Sequence, residues 1–357
     1  MRMSIVLLAV AAFFVTGTVL PLFSHDHWVI RLFDFPRVQL ATGIGLTLAG
    51  FVVARPSSPV EIGAMAVLGL CLVYQVNHIL PYTLLSPRQV KRAASPNEET
   101  DSFSLLIANV EIENRNPDPL LDLIEEEDPD LVLALETDAW WMEHLRPLQE
   151  SYPHAVRHPR ENAYGMCLYS KYPLVAPTVR FLVEDDVPSI HTRVELPSGT
   201  YVWIHGMHPR PPHPIREPDT TERDAELLLL AREIRDRDAP TIVAGDLNDV
   251  SWSYTTRLFQ KISGLLDPRI GRGLYNTFHA RYPLLRYPLD HAFHSEHFLL
   301  SQLKVLPYIG SDHFPVLIEL DYHPDAENHH DEPEANGQDE AQAQHELEKL
   351  KEKRNSD

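Results

Sequence analysis

The 357-residue chain is long enough for one large domain and an accessory region. Its formal charge of −20 argues against the broad cationic footprint that holds long nucleic acids, although metal ions can supply positive charge locally. Two cysteines, Cys71 and Cys167, rule out a disulfide framework.

Three apolar runs open the chain. Residues 5–23 carry no charge and approach the length that crosses ~30 Å of hydrocarbon. Residues 38–53 are shorter, with Gly43, Gly45 and Gly50 suited to close helix packing. Residues 60–80 carry Glu61 only at the edge; Asn77 and His78 near the far end read as water-interface residues without a further role. Arg2, Arg31, Arg37, Arg55 and the Arg88/Lys91/Arg92 group flank the runs, and Trp28, Tyr74 and Tyr82 sit near the expected interfaces. The alternative for the first run is a cleaved signal peptide. No clear small-x-small site precedes Ser24-His25-Asp26, and two further runs follow, so three transmembrane helices are expected within residues 1–85. Counting flanking Lys and Arg leans toward a cytoplasmic C-terminal domain, by a few residues.

Residues 86–101 are polar, contain two prolines and read as a linker. From residue 102 to 322 strand-like and helix-like patterns alternate. Strands are expected at 104–108, 130–135, 165–170, 190–196, 201–206, 242–244, 288–293 and 315–320, and helices at 119–127 and 221–237. Many short strands with a few helices fit a two-layer sheet sandwich with helices outside. Residues 323–357 are rich in Asp, Glu, Asn and Gln and read as a disordered acidic tail with a transient helix near Leu347; His329-His330 is a solvated pair there.

The organising stretch is Thr241-Ile242-Val243-Ala244-Gly245-Asp246-Leu247-Asn248. In an extended segment the n, n+2 spacing puts Asp246 and Asn248 on one face. Hard-metal phosphate chemistry uses such a pair, a carboxylate to hold or deprotonate water and an amide to grip a phosphate oxygen. Gly-Asp also opens ordinary turns, so the octet alone is ambiguous. Other polar residues share its position at the end of an apolar strand: Asn109, Glu136, His208, Asp290, and Asp312-His313. Singly each fits a turn, a cap or a satisfied surface group; their joint order is harder to dismiss.

In Ile107-Ala108-Asn109, Leu133-Ala134-Leu135-Glu136, His205-Gly206-Met207-His208-Pro209, Gly245-Asp246-Leu247-Asn248, Leu289-Asp290-His291-Ala292-Phe293 and Ser311-Asp312-His313-Phe314-Pro315, the chain resembles the endonuclease/exonuclease/phosphatase superfamily of deoxyribonuclease-I-like phosphoesterases. The leading spans and the His-Pro-Arg-Pro-Pro run at 208–212 are similar to its bacterial membrane-anchored, YafD-like branch. The resemblance implies an α+β fold, a four-layer α/β/β/α sandwich, here preceded by three transmembrane helices. It implies that Glu136 is the main metal carboxylate, helped by Asn109 and Asp312. Asp246 orients or deprotonates water, Asn248 holds a phosphate oxygen, and His313, oriented by Asp290, stabilises the developing charge. His208 is the candidate donor to the leaving oxygen, with His205 the alternative; whether Glu111 reaches the metal is open. His291, His294 and His297 are not expected to be ligands.

Oxygen ligands suit Mg²⁺ or Mn²⁺, and no motif contains the Cys of a structural zinc site. The expected function is a membrane-anchored, metal-dependent phosphoesterase acting on nucleic acid, phospholipid or a small phosphoester, with the lipid bilayer as partner and no protein partner. The alternative is a catalytically inactive membrane scaffold of the same fold. In the resembling branch the domain faces outward from a bacterial inner membrane, which opposes the residue count.

Overall fold

Strands whose apolar residues alternate between two buried faces build the centre of the larger of two compact units, Arg88–Pro211 with Thr221–Asp357; the smaller is Met1–Pro87 with Pro212–Thr220. This computed structural model describes residues 2–23, 27–93, 101–212, 219–237, 239–323, 326, 330 and 332–356. Ser24-His25-Asp26, positions 94–100 of the expected linker, and His329 lie outside them.

In the smaller unit, α1 (Arg2–Val19), the short α2 (Trp28–Arg31), α3 (Arg37–Ala54) and α4 (Pro59–Ile79) follow in order. Among the described residues three helices are long and apolar enough to cross a membrane, with candidate spans Ser4–Leu22, Arg37–Ala54 and Pro59–Tyr82. A capping box starts α4: Ser58 Oγ accepts from the Glu61 N–H at 3.2 Å, and Glu61 Oε2 accepts from the Ser58 N–H at 3.0 Å. Close packing uses two of the three glycines. A Cβ on Gly43 would meet Phe14 at 2.1 Å and one on Gly50 would meet Leu7 at 3.0 Å, whereas Gly45 faces open space. A buried polar link joins three helices: Arg37 donates to Asp34 (2.5 Å) and Gln75 (3.1 Å), and Gln75 donates to Thr18 (3.1 Å).

The larger unit has two sheets. One runs β10-β11-β1-β2-β4-β3, from β1 (Asp101–Asn109), β2 (Leu131–Leu135), β3 (His154–His158), β4 (Met166–Ser170), β10 (Phe298–Val305) and β11 (Val316–Tyr322). The other runs β5-β6-β7-β8-β9, from β5 (Leu174–Arg180), β6 (Ser189–Glu195), β7 (Tyr201–Met207), β8 (Thr241–Asp246) and β9 (Asp290–His294). Leu105, Ile107, Leu133 and Leu168 of the first sheet bury against Ile190, Ile204, Ile242 and Ala292 of the second. The opposite face of the first sheet packs on α5 (Asp118–Glu127) and α6 (Ala139–His144) through Ala108, Val132, Leu120 and Trp141. That of the second packs on α7 (Thr221–Arg235) and α8 (Tyr254–Ser263) through Met207, Val243, Leu228 and Phe259. The result is the expected α/β/β/α order of layers.

This layering sets the site. Pairs β1/β2 and β7/β8 are parallel, so their C-terminal ends reach one edge of the sandwich. Strand β9 is antiparallel to β8 and β11 to β1, which brings their N-terminal ends to the same edge.

Two segments depart from expectation. The chain after residue 323 does not end as a disordered tail: α9 (Gly337–Ser356) is a 20-residue helix. Its Ala343, Leu347 and Leu350, spaced i, i+4, i+7, join the core formed by α7 and α8. Lys261–Asp339 (2.9 Å) and Lys353–Glu222 (2.6 Å) ion pairs flank that stripe, so acidic composition masked a thin apolar face. His330 is likewise fixed, with Nδ1 at 3.0 Å from the Glu296 carbonyl and Nε2 accepting from the Lys91 N–H at 3.0 Å. Nor is the expected linker loose throughout, because Val90 is fully buried in the inter-sheet core and Gln89 accepts the Asp267 N–H at 2.8 Å.

Candidate active site

Asn109 ends β1, and its side chain spans the two sheets. Its Nδ2 donates to Glu136 Oε1 (2.9 Å), just beyond β2, and to Asp246 Oδ2 (3.2 Å), at the end of β8. Its Oδ1 accepts from the Glu111 N–H at 3.0 Å, and the second Glu136 oxygen accepts from the Ile112 N–H at 3.1 Å. One amide thus holds carboxylates from both halves of the sandwich. The backbone is left-handed at Glu111, Glu136 and Asn248 (φ 57°, 61° and 52°), conformations that cost energy in non-glycine residues and cluster where side chains must be aimed. At Gly245 (φ 141°) the strand ends so close to β7 that a Cβ would lie 1.9 Å from the Met207 carbonyl oxygen.

A second chain of contacts starts at β9. Asp290 Oδ2 accepts from His313 Nδ1 at 2.7 Å, and His313 Nε2 lies 3.4 Å from Asp246 Oδ2. His208 Nε2 stands 3.8 Å from the same oxygen, while Asp246 Oδ1 accepts from the Asn248 N–H at 2.9 Å. Burial pulls the His313 imidazole down, but the Asp290 and Asp246 carboxylates outweigh it and push the group up to about 10. The imidazole is therefore a cation at neutral pH. Burial, reinforced by Asp290, raises the proton affinity of Asp246 against the opposing pull of His313 and His208. Ligand atoms of Asp246, Asp290 and His313 all lie within 4.8 Å of one another, the geometry of a three-ligand metal group. We read them instead as a relay of alternating charge, Asp290–His313–Asp246, because the Asp290 oxygen and His313 nitrogen are already hydrogen-bonded to each other.

Glu111 and Glu136 lie near enough to Asp312 to repel its charge, making an acidic cluster. Burial, with repulsion from Glu111 and Glu136, pushes Asp312 up to about 6 despite the attraction of His313 and Arg281. Crowded negative charge of this kind, with oxygen donors only, fits a hard divalent cation held by Glu136 and Asp312. Asn109 presents its amide nitrogen rather than its oxygen to Glu136, so a half-turn of that amide is needed for it to ligate. Glu111 pairs with Arg281.

All eight expected residues, Asn109, Glu136, His208, Asp246, Asn248, Asp290, Asp312 and His313, stand at this edge. His205 does not: it is buried on the opposite face of β7, its Nδ1 2.6 Å from His191 Nδ1. Asn248 Nδ2 donates to the Pro209 carbonyl at 3.0 Å, leaving its second amide hydrogen for a ligand. His291 contacts Arg269 (2.6 Å) and the Asp249 carbonyl (2.9 Å), and His294 and His297 contact Ser295.

Supporting residues carried no sequence signal. Thr277 Oγ1 accepts the Asp290 N–H at 3.2 Å, and Arg269 donates to the Asp290 carbonyl at 3.3 Å. Arg223 donates to the Asn248 carbonyl at 2.8 Å, and the Phe278 ring lies 4.9 Å from His313. On the other side the Tyr164 ring lies 5.5 Å from His208, under the Arg210 guanidinium at 4.8 Å.

Residues 106–313 match the profile of the Endonuclease/Exonuclease/phosphatase family. Among solved structures the chain is similar to the human Nocturnin catalytic domain with bound sulfate, at 17% identity and TM-score 0.52, covering 68% of this chain and 99% of that one. It is similar to an endonuclease/exonuclease/phosphatase from Bacteroides vulgatus at 18% identity and TM-score 0.51, covering 62% and 99%. A third is D. rerio TDP2 complexed with a single-strand DNA product, at 15% identity and TM-score 0.50, covering 61% and 98%. At these identities the likeness is one of fold. No curated protein matches. The family profile spans more than half of the sequence, and the chain belongs to the endonuclease/exonuclease/phosphatase family.

Proposed function

We propose that the protein is a membrane-anchored, divalent-metal-dependent phosphoesterase that hydrolyses its substrate by direct attack of water. The carrying observation is the Asn109 amide, which bridges Glu136 in the acidic cluster to Asp246 in the relay. Glu136 and Asp312 would hold Mg²⁺ or Mn²⁺, with Asn109 positioning Glu136 beside Asp246; when bound, the ion would supply Lewis-acid charge to the phosphoryl oxygens.

The remaining work falls to this chain's own side chains. Asp246 orients a water and takes its proton, helped by the raised proton affinity that burial gives it. The water oxygen forms the new P–O bond as the bond to the leaving oxygen breaks. His313, kept charged by Asp290, faces the phosphoryl oxygens and offsets their growing negative charge. Asn248 uses its free amide hydrogen on the same oxygens. His208 supplies a proton to the leaving oxygen, and its Nδ1 has no hydrogen-bond partner among the described residues.

Support for the anchor comes from the three apolar helices. We assign the protein to a bacterial inner membrane with the catalytic domain outside the cytoplasm. A C-terminal reporter active only in the cytoplasm overturns that orientation. For the activity, full-length protein is assayed over DNA, RNA, phospholipid and sugar-phosphate substrates. Hydrolysis of at least one should be abolished by EDTA and restored by Mg²⁺ or Mn²⁺. Inactivity on every one, with either metal, identifies a scaffold instead. The TDP2 structure holds a DNA product, so nucleic acid remains in the panel despite the −20 charge of this chain.

A further inference from the structure

Six large apolar or aromatic side chains of the larger unit are well exposed among the described residues: Phe181, Tyr201, Tyr282, Leu284, Leu285 and Tyr308. Four of them gather beside the site. Tyr282, Leu284, Leu285 and Tyr308 are 57%, 83%, 51% and 48% exposed. Scattered single exposures are ordinary, whereas a cluster marks a surface that meets an apolar phase.

The cluster is a shaped prong. Phe278 and Tyr287 pair at its base, and the tip is a tight turn at Pro283–Leu285. The His279 N–H donates to the Leu285 carbonyl at 3.0 Å and the Leu285 N–H to the Tyr282 carbonyl at 2.9 Å, so its own backbone fixes the tip. Two arginines brace the stem. Arg281 pairs with Glu111, donates to the Gly310 carbonyl at 3.2 Å and reaches the Tyr308 hydroxyl at 3.4 Å. Arg286 donates to the Ala280 carbonyl at 3.1 Å and lies 4.8 Å over the Phe314 ring. The Ala280 N–H donates to the Asp312 carbonyl at 2.7 Å, and Phe278 bridges to His313, which ties the stem to the site segment.

The two leucines of the tip are flanked by Tyr282-Pro283 on one side and Arg286 on the other, with Arg281 and Tyr308 below them. An aliphatic tip ringed by tyrosine and arginine matches the step in a bilayer from hydrocarbon to the polar interface. Arg286 is a local cation beside the tip on a chain of net charge −20, Arg281 being paired with Glu111, and among the described residues the same chain carries three helices apolar enough to cross a membrane. We propose that residues 282–285 with Tyr308 insert into the bilayer surface and bring the site onto the phosphate of a membrane phospholipid. This names the substrate class of the phosphoesterase reading above and rests on it.

The test uses full-length protein in phosphatidylethanolamine–phosphatidylglycerol vesicles. Leu284→Cys carries an environment-sensitive fluorophore, with Tyr201→Cys as the distant control; the native Cys71 and Cys167 are buried. The label at 284 should be blue-shifted and quenched by nitroxide-bearing lipid, while the label at 201 stays water-exposed. Equal water exposure at both positions overturns insertion. Shielding at 284 that nitroxide lipid does not quench shows a protein surface over the tip and overturns the bilayer assignment. In parallel, the double variant Leu284→Glu, Leu285→Glu should lose about tenfold or more in hydrolysis of vesicle phospholipid, as expected for two aliphatic side chains withdrawn from lipid. Its rate on soluble bis(p-nitrophenyl) phosphate should stay unchanged. Wild-type hydrolysis of that diester without any effect of the variant on vesicle lipid overturns the substrate assignment. Wild-type failure on both substrates overturns the phosphoesterase reading itself, and the fluorescence still decides the prong.

Discussion

His313 and His191 are both almost wholly buried, at 4% and 3% exposure, yet their neighbours drive them in opposite directions. At the site edge, His313 lies between two carboxylates and is pushed up to about 10. Behind the second sheet, burial and then Arg180 pull His191 down to about 3, with Arg237 adding to it and Glu233 opposing. Burial, then the nearby His191, Arg237 and Arg180, leave His205 well below its ordinary value too. Hydrogen bonding fixes the tautomers of this second pair. Arg237 donates to His205 Nε2 (3.1 Å), so His205 Nδ1 carries the proton it gives to His191 Nδ1 (2.6 Å). His191 Nε2 then donates to Ser189 Oγ (2.8 Å), which donates to the Arg180 carbonyl (3.2 Å). Every hydrogen is used and neither ring is charged. One histidine is held charged between carboxylates at the proposed site; the other pair is a neutral structural link.

The sharpest way to break this contrast is to remove the site members. Asp246→Ala or His313→Ala should lower kcat/KM for the best phosphoester by about 10²–10³, equivalent to ~3–4 kcal/mol of transition-state stabilisation. Comparable rates in either variant contradict the assigned roles.

A smaller effect should follow from Asp290→Asn. It removes the charge bonded to His313 and leaves the shape. Because folding raises the His313 value from 6.5 to about 10, its contribution to stability is full below about pH 6.5 and is lost as pH rises through about 10. In Asp290→Asn, nuclear magnetic resonance titration of His313 should show an earlier midpoint, and alkaline unfolding should begin at lower pH. An unmoved midpoint contradicts the relay.

At the other cluster the sign reverses. His191 falls from 6.5 to about 3 on folding, so its contribution is full above about pH 6.5 and is lost as pH falls toward 3. His191→Gln should flatten the loss of Tm on acidification and leave activity at neutral pH within about twofold, since surface-remote neutral links carry no chemistry. A wild-type Tm indifferent to pH between 7 and 4 contradicts a neutral pair. The smallest effect on activity should come from Leu347→Ala in α9. Loss of that core side chain should cost about 2–5 kcal/mol of stability, read by denaturant unfolding, with the catalytic rate unchanged below the transition. Unaltered stability contradicts α9 as part of the fold.

The histidine contrast also explains what the sequence revealed. Asp246, Asn248, Glu136 and Asn109 stood out because each interrupts an apolar strand at its end, and parallel pairing sends such ends to one edge. His208 and His205 were separated in space by strand parity, yet only the packed structure shows which face of β7 meets Asp246. Arg223, Arg269 and Thr277 were hidden, since an arginine in a polar helix start or beside a proline resembles any solvated one. Helix α9 was hidden for a similar reason, its three core residues being sparse among acids. Strands β3, β5 and β10 are partly exposed edge or near-edge strands, and lacked the continuous apolar runs that marked the central ones.

The most direct measurement places both histidine sites in one experiment. Hydrolysis of bis(p-nitrophenyl) phosphate with Mg²⁺ is followed for full-length wild type, Asp246→Ala and His191→Gln in parallel. The account predicts a loss of about 10²–10³ for Asp246→Ala and near wild-type activity for His191→Gln. Equal rates in all three proteins would contradict it.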